Sequence, residues 1–337
     1  MSHHTVDCSK APYDLRPATE EITRQIFDLK NPKDGKNKPV IVIMGEVHTN
    51  PLHRLLQQGV LARCSEAGLS VAYHMEREHN LLGHIARTRR GIQASPQLDG
   101  TLAHHDKDGQ ILAKIALKYA PVRYATAAAE NILGFCLGNG IATAFTDVAK
   151  RYSDERRQVF DWRDPETKLA MPHNGVDVES PQGMALRNRF MAQKTEDLIV
   201  QRQPDVVVHH CGREHVLGDS PSGFSFAESL FAKFLAQGFL TIAVFPSTKT
   251  DQEKIPPEGL EETTPIIVSG LADCSFGNND PNELSCIQQC AQASGTLIDT
   301  YTGSAQIKIW MDSASRSLSP LITQARKGAK TTSLTLG

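Results

Sequence analysis

The sequence predicts an α/β fold in three layers, a mainly parallel central sheet with helices on both faces. Short runs such as 40–44 and 239–245 are apolar almost throughout, and 204–210 carries Val206, Val207 and Val208 at its centre, β-branched segments of the kind that strands buried on both faces require. Segments with helical spacing separate them, the alternation of strand–helix–strand units. Polar residues also fall in a telling place. Glu46 and His48 follow strand 40–44 directly, beyond the break at Gly45, where open α/β sheets form their ligand crevices.

In chain order, 1–15 reads as an irregular lead-in and 17–29 as a helix with Ile22, Ile26, Phe27 and Leu29 on one side. Strand 40–44 leads into a helix over 51–66, stopped at Gly68, and 69–74 is the second strand, with Glu76, Arg77, Glu78 and His79 after it. Helices are expected over 80–91, 111–119 and 125–137, a short strand over 121–124, and a charged helix over 146–160. Residues 161–173 read as a loop, and 175–179 (GVDVE) as a strand ending in two carboxylates. Ser180 followed by Pro181 marks the start of a long helix to 202. Strand 204–210 then ends in Cys211-Gly212-Arg213-Glu214-His215, a second site-like turn. A helix over 224–237, strand 239–245, a proline- and charge-rich excursion over 246–265 that could act as a lid, strand 266–269, a helix over 281–293 and strands 296–300 and 306–310 complete the order. One domain over 1–312 is expected, with 313–337, which has no acidic residue, as a mobile tail.

Composition narrows the function. Lys plus Arg at 36 against Asp plus Glu at 38 gives a net charge of -2, so no polyanion-binding surface and no nucleic-acid partner are expected. No apolar run reaches the ~18 residues that span a bilayer, and the N-terminus has no signal-type apolar core, so a cytoplasmic protein without a membrane partner is expected. The seven cysteines are scattered and odd in number, unlike a disulfide framework.

Parallel strands end on one edge of the sheet, so Glu46 and His48, Glu76, Asp177 and Glu179, and Arg213 with His215 would converge in one crevice. Two mechanisms can use such a set. In one, His48 or His215 is the general base or acid, Glu46 or Glu76 orients the imidazole, and Arg77 or Arg213 stabilises developing negative charge. In the other, His48, His215 and Glu46 hold a divalent metal ion that activates water. No G-x-S-x-G elbow is present, which disfavours a serine nucleophile. His53 either faces the same crevice from the start of its helix or is satisfied by the turn. His209 and His210 point to opposite faces of their strand, at least one of them as a core histidine.

The turn GEVHTNPLH, followed by RLLQ, resembles the first motif of the ChaN-like members of the Tiki, TraB and erythromycin esterase superfamily, also called the haem-binding uptake Tiki superfamily. VAYHMERE (Glu76), ALRNRFMAQKTEDL (Arg189, Met191, Ala192) and VVVHHCGREHVLG follow in the family's order, over about 39–245. The resemblance implies an EreA/ChaN-like fold with Glu46, His48, Glu76 and His215 facing one another, and Arg189, in the matching helix motif, is a substrate-binding candidate with Arg77, Arg213 and His53. Relatives include metal-dependent peptidases, metal-independent esterases and endopeptidases, and haem binders. The expected function is therefore hydrolysis of a peptide, amide or ester bond in a peptide or small-molecule substrate. The alternative is a haem-binding or iron-handling protein in which His53, His74 or His79 matters more, and a catalytically silent hydrogen-bonded scaffold is a third reading. The oligomeric state is left open.

Overall fold

A computed structural model describes residues 4–8, 14–30, 38–48, 50–79, 101–102, 132, 136, 141–164, 166–218, 223–247 and 266–269. Their elements run β1 (His4–Asp7), α1 (Arg16–Lys30), β2 (Val40–Glu46), α2 (Pro51–Glu66), β3 (Val71–Glu78), β4 (Thr101–Leu102), β5 (Ala142–Asp147), β6 (Lys150–Tyr152) and β7 (Gln158–Phe160). After these come α3 (Pro181–Arg202), β8 (Val206–Gly212), α4 (Arg213–Leu217), a 3-10 turn (Phe226–Glu228), α5 (Leu230–Ala236), β9 (Leu240–Ser247) and β10 (Ile266–Ser269). The main sheet has the order β1-β10-β9-β2-β8-β3-β5-β4, parallel at every pairing except β4 with β5.

Alternation along each strand divides the core in two. Val40, Val42 and Met44 of β2, Tyr73 and Met75 of β3, and Val206 and Val208 of β8 pack against Ile22 and Ile26 of α1 and Leu52, Leu55 and Val60 of α2. On the other face Ile41, Ile43, Ala72, Val207 and Ala243 pack against Met191, Ala192 and Ile199 of α3 and Phe231 and Phe234 of α5. Each such large side chain contributes about 1.5–3 kcal/mol on burial, which is why the central strands are apolar on both faces.

Local chemistry sets the helix starts. The Asn50 side chain accepts from the Leu52 N–H at the head of α2, and Ser180 accepts from the Gly183 N–H at the head of α3, each followed by proline at the first helical position. Gly183 permits the tight seating of α3: a β-carbon there would lie 2.0 Å from the Asp177 carbonyl oxygen.

Several expectations are corrected. The lead-in contains β1, which adds to the edge of the sheet beside β10. The charged helix over 146–160 is absent: β5 runs to Asp147, and β6 and β7 form an antiparallel hairpin with Arg156 at positive φ in its turn. Apart from the buried Asp147, that segment's charged residues line an exposed hairpin, and only Val148 and Phe160 enter a small core with Trp162, Val178 and Phe190. GVDVE makes a single bridge, Val159 to Asp177, beside β7, with the Phe160 N–H donating to the Val176 carbonyl and the Val178 N–H to the Gln158 carbonyl. Residues 224–237 split into the 3-10 turn and α5 at Ser229, whose side chain caps α5. β3 extends to Glu78, so Glu76 lies inside the strand. The elements expected over 80–91, 111–119, 121–124, 125–137, 281–293, 296–300 and 306–310, the excursion at 248–265 and the tail lie outside the described residues.

Candidate functional site

β8 lies between β2 and β3, and the three strands end together. Glu46 closes β2 on the α1/α2 face, in register with Gly212, the last residue of β8. Its carboxylate is fully buried and heavily engaged. The Arg54 guanidinium of α2 contacts both oxygens, His48 Nδ1 lies 2.7 Å from Oε1, and His210 Nε2 lies 2.7 Å from the same oxygen. Burial alone would raise this carboxyl, but Arg54 and His210 outweigh it and hold Glu46 well below the ordinary carboxylate range. The side chain of His48, by contrast, is 62 % exposed. Its hydrogen bond to Glu46 raises the imidazole above its ordinary value. Burial pushes His210 down, the Glu46 charge opposing it, and the ring stacks on Tyr73 at 6.2 Å.

Glu76 stands on the opposite face of the sheet, under α3. Its Oε1 meets the Arg187 guanidinium and lies 3.3 Å from His215 Nε2, and its Oε2 accepts the Gly212 N–H at 2.6 Å. Burial would raise this carboxyl too, and His215 and Arg187 hold it well below the usual range. Arg187 also pairs with the buried Asp147 at 2.9 Å, and Asp147 meets Lys150 Nζ at 2.7 Å. His215 Nδ1 lies 2.5 Å from Asn188 Oδ1, and Asn188 Nδ2 donates to the Glu228 carbonyl at 2.8 Å.

The two halves meet above Gly212. A β-carbon on that residue would stand 3.2 Å from His48 Nε2 and 3.5 Å from Glu76 Oε2. An exposed imidazole nitrogen and an ionised carboxylate thus flank the end of β8, and the absence of a side chain on Gly212 leaves the space between them open. Gly45 serves the same edge differently: a β-carbon there would fall 2.7 Å from Val216 Cγ2 and 3.1 Å from the Arg213 Cα, so glycine lets α4 sit against β2 and deliver His215.

Of the expected site residues, Glu46, His48, Glu76 and His215 gather at this edge. The others take different positions. His53 is buried behind the turn, where its Nδ1 accepts the Val47 N–H at 2.8 Å. Arg77 faces the other side of β3, its guanidinium 5.6 Å from the Phe145 ring centroid, and Arg213 lies 5.9 Å from that of Phe245. Arg189 is exposed on α3. The arginine that α3 turns inward is Arg187, about 200° away around the helix. Asp177 caps the turn before α3 by accepting the Glu179 N–H, and Glu179 is a 68 % exposed outer partner of Arg187.

Arg54, Asp147, Arg187 and Asn188, which no motif marks in the sequence, complete the site, together with His210, expected only as a core histidine. Two signals pointed at them. Gly183, Met184, Arg187, Asn188, Met191, Ala192 and Thr195 recur at spacings of three and four, so Arg187 and Asn188 lie on the buried stripe of α3. His210 shares the strand parity of Val206 and Val208, whose face also carries Glu46.

The expected metal set of His48, His215 and Glu46 is not brought together. Among the described residues it is Glu46, His48 and His210 whose ligand-type atoms lie within 4.8 Å of one another, while His215 faces Glu76. Arg54 already holds both oxygens of Glu46, and a guanidinium there opposes a second cation at the same carboxylate. The donor set fits a charge-paired acid–base group better than a cation cage. The histidines of the haem alternative are tied into the fold. His74 is buried against Thr195, with burial pushing its imidazole down to about 3, and His79 is bonded to the Asp147 carbonyl at 3.0 Å.

No family model matches the chain, and no curated protein does. Among solved structures, the type III effector HopBA1 is similar at 10% identity over 68% of this chain and 87% of that one, with a TM-score of 0.38.

Proposed function

We propose that the protein is a metal-independent hydrolase of a peptide, amide or ester bond, acting on a peptide or small-molecule substrate in the cytoplasm. The observation that carries this is the edge beside Gly212, where His48 Nε2 and Glu76 Oε2 come within 3.2 Å and 3.5 Å of the position a Gly212 β-carbon would take, so that an exposed imidazole and an ionised carboxylate flank one strand end and can bind and deprotonate a water between them and the substrate. Glu46 binds the Nδ1–H of His48, which fixes the tautomer and leaves Nε2 as the base. Arg54 keeps Glu46 ionised, so the imidazolium that forms is stabilised from behind. The water oxygen bonds to the acyl carbon while its proton passes to His48 Nε2. The carbon–nitrogen or carbon–oxygen bond then breaks as the leaving group takes a proton from the site, and exchange with solvent resets both groups. The motif resemblance to the Tiki, ChaN and erythromycin esterase superfamily supports the same reading. No helix among the described residues is long and apolar enough to cross a membrane.

The test is turnover of a panel of activated esters and a mixed peptide library, with and without chelator, beside H48Q. Turnover should fall about a hundredfold or more in H48Q. It should be indifferent to chelator, and its acidic limb should lie above pH 6.5, because the His48 imidazole is raised above that value. Turnover that H48Q leaves intact, or that chelator abolishes, would overturn the proposal.

A further inference from the structure

His48 and His215 are both plausible proton carriers, and their residue types do not say which is the base and which the acid. Hydrogen-bond directions do. The Glu228 carbonyl can only accept, so the Asn188 atom 2.8 Å from it is the Nδ2 donor. Asn188 Oδ1, which can only accept, is therefore the atom 2.5 Å from His215 Nδ1, and Nδ1 must carry a proton. The amide orientation is set by a backbone oxygen rather than by convention. His215 Nε2 then faces Glu76 Oε1 at 3.3 Å, where a nitrogen that donates is attracted and a bare lone pair is repelled.

His48 is arranged in the opposite sense. Its Nδ1 proton is committed to Glu46 and its Nε2 stands at the open side of the site above Gly212, with no acceptor required of it.

We infer that Asn188 is a positioning residue that commits the Nδ1–H of His215, so that His215 serves through Nε2 as the proton donor to the leaving group while His48 is the base. The assignment rests on the hydrolytic reading and deepens it. In the step concerned, the acyl-carbon bond to the leaving nitrogen or oxygen breaks, the bonding pair goes to that atom, and the proton leaves His215 Nε2 to join it. His215 regains a proton from solvent, and Glu76 remains ionised throughout, anchored by Arg187 and the Gly212 N–H. The 3-10 turn at Phe226–Glu228 thereby becomes part of the catalytic support, since its last carbonyl holds the Asn188 amide.

The experiment combines nitrogen-15 NMR of the His215 ring in the intact protein with pH profiles of N188L and N188D. In the wild type, Nδ1 should be protonated. In N188D, whose carboxylate still accepts from Nδ1, it should stay protonated, with turnover retained and the alkaline limb of kcat/KM moved to higher pH. In N188L the Nδ1 signature should be lost and kcat should fall about a hundredfold. An unprotonated Nδ1 in the wild type, or an N188L profile superimposable on the wild type, would overturn the inference. The ring spectrum needs no substrate, so it decides the tautomer even where the ester and peptide panel is silent. That silence would count against the hydrolytic reading alone. If N188L does not fold, N188D and the wild-type spectrum still decide it.

Discussion

At Gly212 the backbone has φ −56° and ψ 143°, a conformation open to any residue, so alanine there changes only the space above the strand end. G212A should abolish most turnover by crowding His48 at 3.2 Å, while costing about 1 kcal/mol or less of stability, since the exposed His48 ring can give way. Full activity in a folded G212A would remove the open space beside Gly212 from the mechanism. Glu46 should behave differently, because it is the charge partner of Arg54. E46Q leaves that guanidinium facing a neutral amide in the interior, a loss of about 3–5 kcal/mol. The folded pKa of Glu46 is depressed, so its contribution is complete above its ordinary value of 4.5 and disappears as pH falls through the lowered one. Urea unfolding should therefore show a constant gap between wild type and E46Q near neutral pH that narrows below about 4.5. A gap unchanged down to pH 3 would contradict the ion pair. Glu46, His48, Glu76 and His215 were legible because each follows or ends an apolar run. Arg54, Asp147 and Asn188 were not, since a buried polar residue on an amphipathic helix or a strand end is set by the partner it finds across the fold. Arg187 and Arg189 differ by two positions in α3, and only the inward stripe distinguishes them.

Elements carry the site by their ends. α3 was legible to the residue because Ser180-Pro181 encodes its start chemically, and S180A should cost about 1 kcal/mol through loss of the bond from the Gly183 N–H. The β6–β7 hairpin was not legible, because its exposed charged residues alternate with too few apolar ones to reveal a period of two. Short α4 depends on packing instead of capping: its N-cap, Gly212, makes no side-chain bond, and its position against β2 relies on Gly45. G45A puts a methyl 2.7 Å from Val216 Cγ2 and 3.1 Å from backbone, so α4 must move and take His215 from Glu76. Stability should drop by about 1–3 kcal/mol and kcat more steeply than KM should rise. A G45A protein with wild-type kcat would show that the placement of α4 is not critical.

Across the whole molecule, the alternation of apolar strands and helices announced the layered sheet, while the strand order had to come from pairing, since β8 enters between β2 and β3 from far along the chain. That insertion places histidines inside the sheet. His74, His209 and His210 are buried on β3 and β8, and burial pushes all three imidazoles down, His74 to about 3 and His209 well below its ordinary 6.5. His209 Nδ1 has no partner, and His74 and His209 are in register on adjacent strands, so charging either meets both desolvation and repulsion. A folded pKa below the unfolded value gives stability that is complete above 6.5 and is lost as pH falls towards the folded value. His48 runs the other way: its raised pKa gives stability that is complete below 6.5 and is lost as pH rises through the folded value. Above 6.5 the loss from His48 is one proton, and below it up to four protons, counting His79, which burial also lowers, bind preferentially to the unfolded chain, so the fold should be most stable near neutrality and fall off more steeply on the acid side. Each buried histidine adds about 1.4 kcal/mol per pH unit to that slope once the unfolded imidazole is charged. Urea unfolding between pH 8 and 5 should show this asymmetry, and H74Q should reduce the acid slope by about one proton while leaving the alkaline side unchanged. An acid slope that H74Q does not alter would mean that His74 takes up its proton equally well in the folded sheet, which a neutral histidine buried beneath α3 cannot do.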